Sequence, residues 1–208
     1  MYRLFTLVFL ASALLSQQAS AKEFGPYVLA ATHYKTVGGW DKCVGAYRTS
    51  SEVRMKSCRD TNHYKWYFQQ SQYAGWYYIV NYSDRHCLTK HKSKNAMRHY
   101  GYDERRVDNP FDCSVDDRRL WRILDDDNNV VDPEFAFSEP YAYREKFRFE
   151  LKHKEDLCLS YHVPSVGIFG NMLYNTDLFS KTCNYPGGRD TRYPEFHVVT
   201  PEVFWGVE

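Results

Sequence analysis

Beyond residue 21 no stretch is long and apolar enough to cross a bilayer, so no membrane span is expected in the mature chain. Net charge is nearly missing too: 27 Lys and Arg stand against 26 Asp and Glu, a formal +1. Nucleic acid is held chiefly by an excess of positive charge, so it is not an expected partner. Catalytic signatures do not occur. There is no HExxH, no CxxC, no GxSxG and no glycine-rich phosphate loop. The eight histidines are scattered without the spacing that metal ligands need. Alanine- and leucine-rich helical stretches are missing after the first 21 residues. These absences argue against an enzyme, a metal centre and a cofactor.

What is present favours strands in an oxidising compartment. Tyrosine alone accounts for 18 residues, and tyrosine suits a pleated, half-buried surface. At the start, Met1-Tyr2-Arg3 is basic, "LFTLVFLASALL" is apolar, and Ala19-Ser20-Ala21 offers the small residues that signal peptidase accepts. Residues 1–21 are therefore expected to be a secretory signal peptide, and residues 22–208 a single secreted domain. All six cysteines lie in that mature part: Cys43, Cys58, Cys87, Cys113, Cys158 and Cys183. An even count in a secreted chain implies disulfides, although six cysteines allow fifteen pairings.

A repeat narrows the choice. "KCVGAY", "HCLTKH" and "LCLSYH" each place Val or Leu directly after a cysteine, and each follows a β-like run: "PYVLAATHY", "GWYYIVNY" and "KFRFELKH". In the third run Phe147, Phe149 and Leu151 alternate with charged residues, as a half-buried strand requires. The other cysteines precede aromatic-led strands. Trp66 follows Cys58 by eight residues and Trp121 follows Cys113 by eight, while "EFHVV" comes after Cys183 and an insertion. The simplest pairing is local: Cys43–Cys58, Cys87–Cys113 and Cys158–Cys183. Each bridge would contribute on the order of 3 kcal/mol by constraining the unfolded chain. An irregular scaffold with six cysteines is the alternative. A threefold unit of about four short strands suits a closed all-β barrel.

With its early cysteine phrase, its second cysteine and its Trp-led strand, the pattern resembles the ricin B-type lectin domain, a β-trefoil. The resemblance covers Gly25 to Val207, with repeats at roughly 25–70, 71–140 and 141–208. A different small barrel, such as an inhibitor-type trefoil, or a β-sandwich are the other fold readings. In the lectin family an Asp two residues after the first cysteine accepts hydrogen bonds from sugar hydroxyls. An aromatic face and a loop Asn or Gln complete that site. Here the Asp positions carry Gly45, Thr89 and Ser160, and the Gln of Gln-x-Trp is replaced by Tyr64, Arg119 and Pro194. Thr89 and Ser160 keep a hydroxyl, and Tyr47, Asn62 and Tyr161 lie where ligand groups are expected.

Charge supplies a second candidate surface. From Arg85 to Arg106 there are seven Lys and Arg, among them Lys90, Lys92 and Lys94, opposed only by Asp103 and Glu104. Such a stretch suits a sulfated glycan, an acidic partner or the chain's own acidic loop at 125–134. Within that loop Asp125, Asp127 and Asn129 imitate the start of a calcium loop. Val130 and Ala136 stand where its Gly and bidentate Glu are needed, so an acidic surface turn is expected instead. Asn81-Tyr82-Ser83 is a glycosylation sequon inside an expected strand. The functional expectation is non-catalytic binding of an extracellular glycan or protein surface. A structural matrix role, mineral-associated or not, and protease inhibition are the alternatives. No pattern specifies an oligomeric state.

Overall fold

The computed structural model describes residues 21–32, 35–36, 39–40, 42–46, 53–90, 97–100, 113, 116–137, 145–154, 156–162, 178–183 and 192–206. Residues 1–20 of the expected signal segment, Tyr47, Lys92, Lys94 and most of the basic stretch after Lys90 lie outside these residues.

Twelve described strands of four or more residues fall into three groups of four. The first group is β1 (Glu23–Ala31), β2 (Lys42–Ala46), β3 (Val53–Ser57) and β4 (Lys65–Gln70). The second is β5 (Tyr77–Asn81), β6 (Cys87–Lys90), β7 (Met97–Tyr100) and β8 (Leu120–Leu124). The third is β9 (Arg148–Leu151), β10 (Leu157–His162), β11 (Leu178–Thr182) and β12 (Phe196–Val199).

In each group the middle two strands form an antiparallel hairpin, and the outer two enter a common barrel. Around that barrel the order is β1–β4–β5–β8–β9–β12 and back to β1. Its last seam, between β9 and β12, is closed by Phe147 and Phe196. Phe147 N–H donates to Phe196 O at 2.8 Å and Phe196 N–H to Phe147 O at 2.9 Å. Closure removes the unpaired strand edges that invite aggregation.

Register repeats as faithfully as element order. The first cysteine of each group lies opposite its barrel strand, as Ala30↔Cys43, Val80↔Cys87 and Glu150↔Cys158. The leading aromatic of each fourth strand faces an aromatic of its own group, as Tyr27↔Trp66, Tyr77↔Trp121 and Phe147↔Phe196. It also faces the last residue of the next barrel strand, as Trp66↔Asn81, Trp121↔Leu151 and Phe196↔Ala31. All three disulfides join the cysteines as the repeat predicts, with Cα–Cα distances of 5.1, 6.0 and 4.9 Å.

The core forms where these registers turn side chains inward. Trp66, Trp121 and Phe196 are fully buried, with Phe68, Ile123 and Val198 one inward step further along their strands. Each indole is anchored: Trp66 Nε1 donates to Val44 O at 2.9 Å and Trp121 Nε1 to Leu88 O at 3.0 Å. Those carbonyls belong to the residues just after Cys43 and Cys87, so the bond ties each closing strand to its own hairpin. Phe196, the third member, has no such donor.

The other end of the barrel is filled from the link between the second and third groups. There the short helix α1 (Pro133–Ala136) starts at Asp132, whose side chain accepts from Glu134 N–H at 2.9 Å. It delivers Phe137 against the rings of Tyr27, Phe68 and Phe147, at 5.0, 5.2 and 4.9 Å between centroids.

One expectation needs correction. Alternation in "FRFEL" suggested charged residues turned to water, yet Arg148 and Glu150 are only 8 % and 4 % exposed. Both are satisfied by chain from elsewhere. Arg148 donates to the carbonyls of Asp125 at 2.7 Å and Asp126 at 3.0 Å, while Glu150 pairs with Arg122 and accepts from Asp156 N–H at 2.7 Å.

Two outcomes are expected. Trp66→Phe keeps an aromatic core but leaves the Val44 carbonyl without its indole, so chemical denaturation should show a loss of about 1–3 kcal/mol. The Tyr77 phenol donates to Asp132 Oδ2 at 3.3 Å. Burial, reinforced by the Asp132 carboxylate, pushes its pKa up to about 12. Because the native phenol holds its proton longer than the unfolded one, this contribution is complete below about pH 10 and declines towards pH 12. Phenolate absorbance during alkaline titration should show a late-ionising component that is lost in Tyr77→Phe.

Candidate functional site

The three positions two residues after a cysteine are equivalent places in the three hairpins, and each is closed in its own way. Gly45 lies beneath the ring of Tyr64, the residue that replaces the family glutamine. A Cβ at Gly45 would stand 2.7 Å from Tyr64 Cε1 and 3.1 Å from Cδ1, well inside contact distance. Burial pushes the Tyr64 phenol pKa up, against the opposing charge of Arg59. The C-terminal helix α2 (Pro201–Trp205) adds Phe204 and Trp205 to the same cluster, beside Val28, Ala30 and the Cys43–Cys58 bridge.

Thr89 and Ser160 are buried as well. Thr89 Oγ1 donates to Cys87 O at 3.1 Å, and Ser160 Oγ donates to Cys158 O at 3.2 Å. Their hydroxyls complete the local hydrogen bonding of the hairpin. Tyr161 is fully buried in the main core, its hydroxyl 3.0 Å from Thr32 Oγ1. Asn62 is exposed at the start of a 3-10 turn, Asn62–Tyr64, and lies outside the cluster that buries Tyr64. Lys90 is half-buried at the end of β6. The structure therefore does not gather the described candidates into one cleft.

Asn81 is fully buried too. Its Nδ2, the atom that would carry a glycan, donates to His63 O at 3.1 Å and Lys65 O at 3.4 Å, and its Oδ1 accepts from Ser83 N–H at 3.0 Å. A sugar on that nitrogen would displace the side chain from the seam between β4 and β5. In the acidic loop Asp125 accepts from Asp127 N–H at 2.9 Å and Asn129 N–H at 2.8 Å, which makes it a turn former. Among the described residues no group of three His, Cys, Asp or Glu is placed to hold a metal ion.

No family model matches the sequence, and no curated protein is significantly similar to it. Solved structures do resemble it. A designed 3-fold symmetric protein, ThreeFoil, superposes with a TM-score of 0.50 at 15 % identity, covering 83 % of this chain and 99 % of that one. A chain of the Haemophilus ducreyi cytolethal distending toxin gives 0.56 at 11 % identity, over 84 % and 83 %. The BEL beta-trefoil gives 0.50 at 12 % identity, over 85 % and 93 %. The six barrel strands and three hairpins described above carry the fold these comparisons share. The chain is a β-trefoil. The sandwich alternative falls with the closed barrel, and identities this low speak for the fold alone.

On the outside of this trefoil, chemistry missed by the family pattern becomes visible. Five described rings each carry a cation that is also paired with a carboxylate. Arg85 lies 4.9 Å from the Tyr67 ring and pairs with Glu23, and Arg122 lies 5.2 Å from Trp76 and pairs with Glu150. Lys152 lies 4.3 Å from Tyr73 and 2.8 Å from Asp117 Oδ1. Lys22 with Phe24 and Glu134, and Lys65 with Trp205 and Asp60, follow the same arrangement. In each arrangement at least one partner is distant in sequence, so no local motif announces the set. Glu134 of the acidic loop thus meets Lys22.

Because the Tyr64 ring packs directly over Gly45, Gly45→Ala should cost about 1–3 kcal/mol by overpacking. Adding Tyr64→Ala should make the Gly45→Ala step nearly neutral, which a double-mutant cycle by denaturation reads directly.

Proposed function

We propose that the protein is a secreted, non-catalytic binding protein that uses the trefoil as a rigid support and recognises glycans on its outer surface. The observation that carries this reading is the set of rings held at that surface with hydrogen-bonding charges beside them, while the positions after the cysteines are sealed. Tyr73, one of these rings, is 39 % exposed on a scaffold stapled by three disulfides. A flat ring beside donors and acceptors suits a sugar, which has an apolar face and a polar rim. Three disulfides suit an oxidising, extracellular location. Binding to a sulfated or acidic surface through Lys90, Lys92 and Lys94 belongs to the same class.

Applied to an array of neutral and sulfated glycans, the full mature chain should bind at least one class reproducibly. A blank array, with the protein recovered from insoluble extracellular material, would overturn the binding reading in favour of a structural matrix role.

A further inference from the structure

Two phenol rings are stacked where the first repeat meets the second. Tyr67 and Tyr82 have centroids 5.3 Å apart and planes 26° from parallel. Tyr67 stands on β4 between the inward-facing Trp66 and Phe68, so its side chain turns outward from the barrel. It is half-buried there, while Tyr82, in the turn after β5, is 37 % exposed.

Both rings are carried by backbone that is already fixed. β4 and β5 pair through Trp66↔Asn81 and Tyr67↔Val80, and Tyr82 N–H donates to Lys65 O at 2.9 Å. The turn after β5 is closed on itself: Arg85 N–H donates to Asn81 O at 3.0 Å and Asn81 N–H to His86 O at 2.8 Å. Arg85 lies 4.9 Å from the Tyr67 ring and is balanced by Glu23. Burial, followed by the adjacent Tyr82, pushes the Tyr67 phenol pKa up against the charge of Arg85. Near neutral pH the inner ring is therefore an uncharged phenol.

We infer that Tyr67 and Tyr82 form a site of oxidative cross-linking, at which a haem peroxidase with hydrogen peroxide joins the two rings as dityrosine. Each phenol gives up one electron and one proton, and the peroxide takes them to become two molecules of water. The two phenoxyl radicals then form one carbon–carbon bond ortho to their oxygens. Loss of the ortho protons and protonation of the oxygens restores both phenols, so the net change is the loss of two hydrogen atoms. Tyr82 is the ring that an oxidant reaches. Contact with it lets the half-buried Tyr67 pass an electron outward, so the inner ring is oxidised through the outer one. Stacked rings must turn edge to edge before they bond, and an exposed side chain turns on a fast timescale. Two radicals held at contact couple as a unimolecular step, which outruns coupling between molecules in dilute solution. Other tyrosines lack one part of this arrangement. Tyr161 and Tyr193 lie 6.2 Å apart, but Tyr161 is fully buried in the core. Tyr73 is as exposed as Tyr82, but the neighbour described over its ring is Lys152.

Cross-linking here does not depend on what the outer surface binds, so a blank glycan array leaves it standing. Its test treats the full mature chain, as wild type, Tyr67→Phe, Tyr82→Phe and Tyr73→Phe, with a haem peroxidase and hydrogen peroxide at low protein concentration. Monomer separated by size is then read for dityrosine fluorescence and by peptide mapping. Wild-type monomer should become fluorescent and lighter by two hydrogen atoms, with the peptides of Tyr67 and Tyr82 joined. The signal should fall at least about tenfold in Tyr67→Phe and in Tyr82→Phe and stay unchanged in Tyr73→Phe. Thermal melting checks folding, and Tyr82→Phe, which keeps an exposed ring, should melt within a few degrees of wild type. Monomer without dityrosine, a bond mapped to other tyrosines, or a signal that survives either substitution overturns the site.

Discussion

Two indole hydrogen bonds organise this molecule. Trp66 reaches from β4 to the carbonyl of Val44, and Trp121 reaches from β8 to that of Leu88. Each bond joins the strand that closes a repeat to the hairpin that the same repeat sends to the end of the barrel. Each also fixes where the neighbouring cysteine must lie, since Val44 and Leu88 directly follow Cys43 and Cys87. A buried carbonyl without a partner would be costly, and a tryptophan fills the space while its indole N–H donates. The register of the strands, the position of the disulfides and the filling of the barrel all follow from this choice. The third repeat shows what relaxes without it. There Phe196 fills the space by packing alone, against Phe149 and Tyr161, and the reciprocal bonds between Phe147 and Phe196 hold the seam.

That organisation explains which parts of the protein were legible in the sequence. Cysteines and tryptophans mark fixed points in a repeated register, so their spacing carried the pairing of all three bridges and the barrel itself. The missing glutamine and aspartates were also visible. Their consequence was not, because the empty Cβ position at Gly45 has meaning only once Tyr64 folds over it. Alternation in the ninth strand misled for a related reason. Arg148 and Glu150 do point outward from the barrel, but the turn at Asp125–Asp126 and the amide of Asp156 cover them. What covers a strand comes from distant sequence, and periodicity reads only the strand.

The surface follows a different logic from the core. Five described cations are each matched to a carboxylate and laid over an aromatic ring. Individually such pairs add little to stability. Their effect is to set where aromatic faces stand and what may approach them. A trefoil that has filled the family's inner positions can in this way carry recognition on its wall, where each repeat differs.

Phe137 gives the apparent symmetry a direction. Strands, bridges and aromatic layers nearly repeat three times, yet the ring that stoppers the open end arrives once, from the link after β8. The three repeats are therefore not interchangeable modules. A protein assembled from three copies of the first repeat would inherit its Trp anchor and its bridge, but it would also inherit an unstoppered barrel. A chain copied from the second repeat with its link would bring three stoppers to a space that holds one. Order along the chain is thus part of the fold.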